Sequence, residues 1–262
     1  TMKIAIYYSG CIRSLKHVVK HNVDVIRDNV GDCEIHTFYS FWDVTDKPVE
    51  VPDEWCVPIP EYGLDRFAED STGVLESKSE NNFVSIESED EIKKWFIESG
   101  SDYVDGEIES FDISKKIIEE SKFFKRPKLT SQYYKIHRVA KKYSSEKFDF
   151  CVRIRGDVKI NSFPDGEDLS ENLESFLLIN ENMWPGGRSH IGGSVNEMVW
   201  CSSSNIFLDT CSVHLPDSEG IFNDSSGETV TARHFQNLLD ADVVKSYAYF
   251  NFNHRSLRFT KK

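Results

Sequence analysis

An α/β fold with a mainly parallel central sheet flanked by helices is predicted by three observations. Short β-prone runs alternate with helical periodicity along most of the 262 residues. Residues 3–39 alone read strand, helix, strand, a unit whose right-handed crossover sets the two strands parallel. Two of the strands end in glycine turns, Ser9-Gly10 and Gly156-Asp157, the places where such folds bind ligands.

The elements follow in order. Lys3-Ile4-Ala5-Ile6-Tyr7-Tyr8 is a β-prone run stopped by Ser9-Gly10. Ser14-Leu15 then opens a helix with apolar residues at Leu15, Val18, Val19, Val23 and Ile26, which Gly31-Asp32 terminates. Cys33-Glu34-Ile35-His36-Thr37-Phe38-Tyr39 reads as the second strand, and Tyr39, Phe41 and Trp42 at its end are candidates to stack a base or sugar, or to be core. From 43 to 90 the periodicity fades: Pro48, Pro52, Pro58 and Pro60 punctuate a Ser-, Glu- and Asn-rich excursion of the length of a functional loop or lid. Helical patterns return at 91–99, 113–124 and 130–143. A strand at 148–155 alternates Phe148, Phe150, Val152 and Ile154 against Asp149, Cys151, Arg153 and Arg155. Strands at 175–179, 198–202 and 243–250 and helices at 205–212 and 228–239 complete the alternation.

Composition excludes several classes. With 31 Lys+Arg against 44 Asp+Glu the net charge is −13, which repels a phosphate backbone, so no nucleic-acid partner is expected; the basic run at 122–128 is too short to change that. A hydrophobic share of 39% is adequate for a packed core and argues against a disordered chain. No run approaches the ~18 apolar residues of a membrane span, and the residues at the start are too polar-flanked for a secretory signal, so a soluble, cytoplasmic protein is expected. The six cysteines form no Cys-x-x-Cys pair, which fits thiols in a reducing compartment better than a zinc knuckle or a disulfide scaffold.

Four segments carry candidate chemistry. The turn Ser9-Gly10-Cys11-Ile12-Arg13-Ser14 joins strand to helix, where backbone N–H groups and Arg13 can meet an anion; an ordinary capped glycine turn accounts for the same residues. Arg153-Ile154-Arg155-Gly156-Asp157-Val158 sets a carboxylate just past a buried strand among guanidinium groups, as a cation bridged to a diphosphate would require, or as a structural Arg–Asp pair would. Gln132 and Lys135 share one face at the start of the helix predicted over 130–143, where they can line a ligand or belong to an amphipathic helix. The loop 182–193 combines Trp184, Arg188 and His190 with four glycines, suited to a mobile wall against an acceptor sugar or to a tight surface loop.

The ordered set Tyr8-Ser9-Gly10-Cys11-Ile12-Arg13-Ser14, Ser131-Gln132-Tyr133-Tyr134-Lys135-Ile136, Arg153-Ile154-Arg155-Gly156-Asp157-Val158 and Asn196-Glu197-Met198 resembles the small GT-A type glycosyltransferases of large algal viruses (chloroviruses) and their distant bacterial polysaccharide relatives. The resemblance spans residues 3–240. It implies a single GT-A (Rossmann-like) domain over 1–262, with a nucleotide-binding part at 1–157 interrupted by the excursion at 43–90 and an acceptor-side part at 158–262.

It also implies a UDP-sugar donor, a glycan acceptor and a divalent cation, Mn2+ or Mg2+. By the same resemblance Ser9, Gly10, Arg13, Gln132 and Lys135 hold the nucleotide sugar and Asp157 stands at the metal; from the reading of their own segments, Arg155 joins the nucleotide-sugar residues and Trp184, Arg188 and His190 face the acceptor. The usual Asp-x-Asp pair is reduced here to Arg155-Gly156-Asp157, so a second metal ligand is needed and His254 is its candidate. Inverting transfer needs a carboxylate base, for which Glu197, Glu228 and Asp157 compete. The expected activity is that of a hexosyl- or pentosyltransferase, with xylose the favoured sugar because the viral relatives decorate capsid-protein glycans with such pentoses, in the host cytoplasm. The alternatives are a nucleotide-sugar hydrolase or nucleotidyltransferase using the same turn and Asp157, and a non-enzymatic glycan-binding module.

Overall fold

The computed structural model describes residues 1–12, 15–46, 83–85, 88–113, 116, 127–144, 148–156, 158–160, 162–171, 176–179, 199–212, 234, 237–238, 240–241, 247–250 and 254–256. It opens with β1 (Met2–Gly10), α1 (Leu15–Val30) and β2 (Cys33–Trp42). The two strands are parallel and in register from Met2 opposite Cys33 to Gly10 opposite Phe41. Ile4 to Gly10 are buried at every position, because helices cover both faces of the sheet; that is why β1 reads as a continuous apolar run instead of an alternating one. Gly31 ends α1 at a φ of 80° and donates its N–H to Arg27 O at 2.9 Å, a left-handed cap that favours glycine.

Two short strands, β3 (Val44–Asp46) and β4 (Phe83–Ser85), pair antiparallel, so the two ends of the long excursion lie side by side. The excursion between them lies outside the described residues. Next come α2 (Glu89–Glu98), whose cap Ser88 accepts the Glu91 N–H, and β5 (Tyr103–Glu109). Beyond these lie α3 (Pro127–Lys142), β6 (Phe150–Arg155), β7 (Val158–Ile160) and α4 (Gly166–Glu171). The last part of the chain supplies β8 (Phe176–Ile179), β9 (Val199–Ser202), α5 (Ser204–Ser212), β10 (Tyr247–Phe250) and β11 (His254–Ser256).

The main sheet has seven strands in the order β10-β8-β9-β6-β1-β2-β5, and a separate pair joins β11 to β7. Every neighbouring pair from β6 to β5 is parallel, β9 runs against both β6 and β8, and β10 is parallel to β8. The expected mainly parallel α/β sheet is therefore present, with β9 as its reversed strand. One face packs Leu15, Val19, Val23 and Ile26 of α1 and Ile92 and Phe96 of α2 against Ile4, Ile6, Tyr8 and Ile35. The opposite face packs Tyr133, Ile136, Val139 and Ala140 of α3 and Ile206 and Phe207 of α5 against Ala5, Tyr7, Phe38 and Cys151.

Two departures from the sequence reading bear on the candidate site, beside the short elements β3, β4, β7, α4 and β11, which it did not anticipate. β5 is a strand where no strand was expected: it is an edge strand, partly exposed throughout, and Asp105, Glu107 and Glu109 take the alternate positions that an apolar face would otherwise mark. α3 begins at Pro127, not at residue 130, because proline is well tolerated in the first turn, where its missing N–H has no intrahelical partner to lose. Among the described residues no helix is long and apolar enough to cross a membrane. Cys11, Cys33, Cys151, Cys201 and Cys211 form no disulfide, and all but Cys11 are buried. Burial pushes the Cys151 thiol up to about 12, only partly offset by a hydrogen bond with Tyr7, so it stays protonated at neutral pH.

Candidate functional site

The sheet's connections run outward from β1 in both directions, to β2 and β5 on one side and to β6 on the other. That reversal falls between β1 and β6, whose carboxyl ends are therefore at the general ligand position of open α/β sheets. Register then decides which side chains meet there. Arg155 of β6 pairs with Ser9 of β1, Ser9 with Ser40 of β2, and Ser40 with Glu107 of β5. Partners in register point to the same face, so four polar side chains form a row across the sheet just where its apolar interior ends.

Helix α3 lies over this row with its amino terminus toward the carboxyl edge. Tyr143, just past its last turn, stacks on Phe38 at 4.9 Å and accepts the Tyr7 hydroxyl at its carbonyl, whereas Lys135 reaches Ser40 farther along the strand. Gln132 sits three residues before Lys135, about 4.5 Å of helix rise closer to the edge.

Lys135 is fully buried and tightly held. Its Nζ donates to Glu109 Oε2 at 2.6 Å and to Ser40 Oγ at 3.2 Å, and stands 4.2 Å from the centroid of the Trp42 ring. Burial pulls the ammonium's pKa down, against the opposing pull of Glu109. The expected role of Lys135 in lining a nucleotide therefore has a second claimant, since its charge is already met inside the protein. Trp42 is 1% exposed and is stacked by Tyr134 at 5.7 Å, so it offers no open face to a base or sugar. Tyr39 and Phe41 lie on the other face of β2, in the core with α2.

Three buried polar atoms of this region have no hydrogen-bond partner among the described residues: Ser9 Oγ, Trp42 Nε1 and Gln132 Nε2. Ser9 and Trp42 are 2% and 1% exposed, and buried polar groups are ordinarily satisfied. On the β6 side Arg155 and Arg153 are both buried. Arg153 lies close enough to Cys211 for its charge to oppose the burial that raises that thiol. Two buried guanidinium groups thus stand at the β6 end of the edge, and hydrogen-bonding groups at the β2 and α3 end.

The backbone at this edge is closely fitted. Gly10 has a φ of 97°, which favours glycine at the exit from β1. At Gly156 a Cβ would stand 2.5 Å from Ile12 O, so the turn after β6 meets the turn after β1 backbone to backbone. Just beyond, the fully buried Asn22 of α1 donates to Val158 O at 2.9 Å and accepts the Ile160 N–H at 2.9 Å, and His21 Nε2 lies 2.7 Å from Ile160 O. This clamp fixes β7, the segment that starts immediately after Asp157.

Of the residues expected at the site, the structure brings Ser9, Gly10, Gln132, Lys135 and Arg155 to this one edge. Arg13, Asp157, Trp184, Arg188, His190, Glu197 and Glu228 lie outside the described residues. The backbone of His254 is placed in β11, opposite Ile160, with Ser256 opposite Val158; His254 is thus registered at the end of β7 farther from Asp157. Among the described residues no group of three or more His, Cys, Asp or Glu side chains is placed to hold a metal ion. Sequence reasoning missed Asn22, Ser40, Glu107 and Glu109; an asparagine on the apolar face between Val19 and Val23 was the one available signal.

No protein-family model matches the chain, and no curated protein matches it.

Proposed function

We propose that the protein is a GT-A-type glycosyltransferase that moves a sugar from a UDP-sugar donor to a hydroxyl of a glycan acceptor. The observation that carries the reading is the edge between β1 and β6, where Arg155 stands in register with Ser9, whose hydroxyl has no partner among the described residues, at the switch point of the sheet. A buried guanidinium beside a hydroxyl suits a phosphate, which accepts from both.

The strand order supports the division of labour. Numbered along the chain, the seven strands run 3-2-1-4-6-5-7, with the sixth reversed. The first four follow the nucleotide-binding order of doubly wound sheets, whereas the remainder departs from the dinucleotide order 3-2-1-4-5-6. A nucleotide at one half and a different substrate, the acceptor, at the other is the arrangement a transferase needs.

In this reading Arg155, Ser9 and the Gly10 turn hold the diphosphate, with Arg13 alongside. Glu197 or Glu228 takes the proton from the acceptor hydroxyl as the sugar–phosphate bond breaks, and the configuration at the sugar inverts. Trp184, Arg188 and His190 hold the acceptor. Xylose is the proposed sugar and a viral capsid-protein glycan the proposed acceptor. A divalent cation, Mn2+ or Mg2+, belongs to the same proposal; when bound it offsets charge on the leaving diphosphate. The described residues do not by themselves make its donor set, so no step is derived through it.

Calorimetry with a panel of nucleotide sugars, with and without Mn2+, followed by turnover with and without a glycan acceptor, tests the reading. Binding of a UDP-sugar and acceptor-dependent release of UDP are expected. Release of UDP at the same rate without acceptor shows a hydrolase instead, and saccharide binding with no nucleotide binding shows a glycan-binding module.

A further inference from the structure

We infer that Asp105 guards the outer edge of the main sheet against pairing with β5 of a second copy of this chain. The inference is independent of the transferase reading.

Hydrogen bonding shows which backbone groups of β5 face outward. The strand ends the seven-stranded sheet and pairs with β2 along Tyr103–Glu109. The Glu109 carbonyl accepts the Asp43 N–H at 2.9 Å, just beyond β2, so Glu109 turns its backbone inward. Alternation then turns the backbone groups of Val104, Gly106 and Ile108 outward. A row of outward N–H and C=O groups is a template for another strand.

Gly106 is the weak point of that row. A Cβ there would stand 2.3 Å from the ring of Tyr39, so the position has to be glycine and brings no side chain to shield its own backbone. The preceding residue shields it instead: Asp105 Oδ1 accepts the Gly106 N–H at 2.8 Å. The charge of that carboxylate acts both on Tyr143, past the end of α3, and on Lys93 of α2, which pack on opposite faces of the sheet. A carboxylate at the rim between the two faces does this.

The same rim carries the apolar surface that pairing would bury. Among the described residues the exposed large hydrophobic side chains are Ile97 on α2, Tyr103 at the start of β5 and Ile113 just past its end, at 63%, 47% and 36% exposure. A second β5 fits because the edge is complementary to itself. In an antiparallel pair centred on Gly106 the two glycines exchange both N–H···O bonds, and Val104 of each copy stands opposite Ile108 of the other. In the native chain the Gly106 N–H is already engaged, and an approaching strand would have to strip water from the Asp105 carboxylate.

The test compares the full-length parent with Asp105→Val, which removes both acceptor and charge and favours a strand. Sedimentation velocity over about a hundredfold range of concentration reads association, and hydrogen exchange of the peptide 103–109 reads where it occurs. Asp105→Val should form dimers at the upper end of the range, with exchange over 103–109 slowed about tenfold relative to the dilute protein. The parent should show no concentration dependence over 103–109. Asp105→Ala, a smaller change at this partly exposed position, should behave as Asp105→Val does and stands in if that variant does not fold. No association of either variant, association that leaves 103–109 unprotected, or concentration-dependent protection of 103–109 in the parent overturns the inference.

Discussion

Asn22 shows how much one buried amide can organise. Its side chain occupies the place of a strand neighbour for β7, accepting the Ile160 N–H and donating to Val158 O, and its amide also approaches the Tyr8 hydroxyl at 3.4 Å. With the amide gone, two backbone groups lose their partners where exposure of the side chain was 0%. Asn22→Leu is therefore expected to cost roughly 2–4 kcal/mol in urea unfolding, one desolvation penalty for each orphaned group. A loss under about 0.5 kcal/mol would mean that β7 finds other partners and that the clamp is incidental. At Gly156 an added methyl would push directly on the Ile12 carbonyl, which is backbone and cannot swing aside. Gly156→Ala should accordingly separate the two turns and weaken nucleotide binding more than it lowers the unfolding midpoint.

Between β5 and α3 the unit of stability is an ion-pair lattice. Glu107 and Glu109, two apart on β5, face Lys135, Arg138 and Lys142 on one side of α3; Arg138 Nε meets Glu107 at 2.8 Å and Lys142 Nζ meets it at 2.7 Å. Lys135→Met leaves Glu109 without its closest partner and should cost roughly 3 kcal/mol, the low end for a buried pair, because Glu109 retains 15% side-chain exposure. Lys135→Met combined with Glu109→Leu should recover most of that loss in a double-mutant cycle, since no buried charge is then stranded.

Glu107 gives the lattice a pH signature. Burial alone would raise its carboxyl, but hydrogen bonds from Arg138, Lys142 and Ser40 outweigh burial and bring it from 4.5 to about 2. A carboxyl depressed in the folded state contributes its full stability above its ordinary value and loses it as the pH falls toward the folded value. The parent should thus lose on the order of 1 kcal/mol more than Glu107→Gln between pH 4.5 and 2, the modest figure reflecting half-exposed cationic partners. Parallel stability curves for the two proteins over that interval would remove Glu107 from the account.

At the scale of the whole molecule, what could be read in the sequence follows from burial. β1 was legible because helices on both faces leave Ile4 to Tyr8 continuously apolar, β2 because a β-prone run follows the Gly31 break, β6 because Phe150, Val152 and Ile154 alternate with Cys151, Arg153 and Arg155, and α1 because its stripe has one apolar side. β5 was not, since an edge strand held by side-chain charges carries acids where a pattern search looks for apolar residues. Candidate site residues were legible where a glycine turn follows a strand, at Ser9-Gly10 and Arg155-Gly156. The partners Ser40, Glu107 and Glu109 were not, because they are neighbours only through register across strands distant in sequence.

The same distinction predicts how the sheet opens. Amides of β1 are covered along Ile4–Gly10 and paired on both sides, so they exchange with solvent only through global unfolding. Among the described residues those of β5 are paired to β2 alone, on a strand partly exposed throughout. Peptide-resolved hydrogen exchange should find β1 and β6 slowest and β5 faster by at least tenfold, about 1.4 kcal/mol less protection. Lys135→Met should widen the gap by speeding β5 alone, because the lattice ties that strand to α3. Equal protection of β5 and β1 in the parent, unchanged by the substitution, would show that β5 is held by its backbone ladder and that the ion pairs merely decorate it.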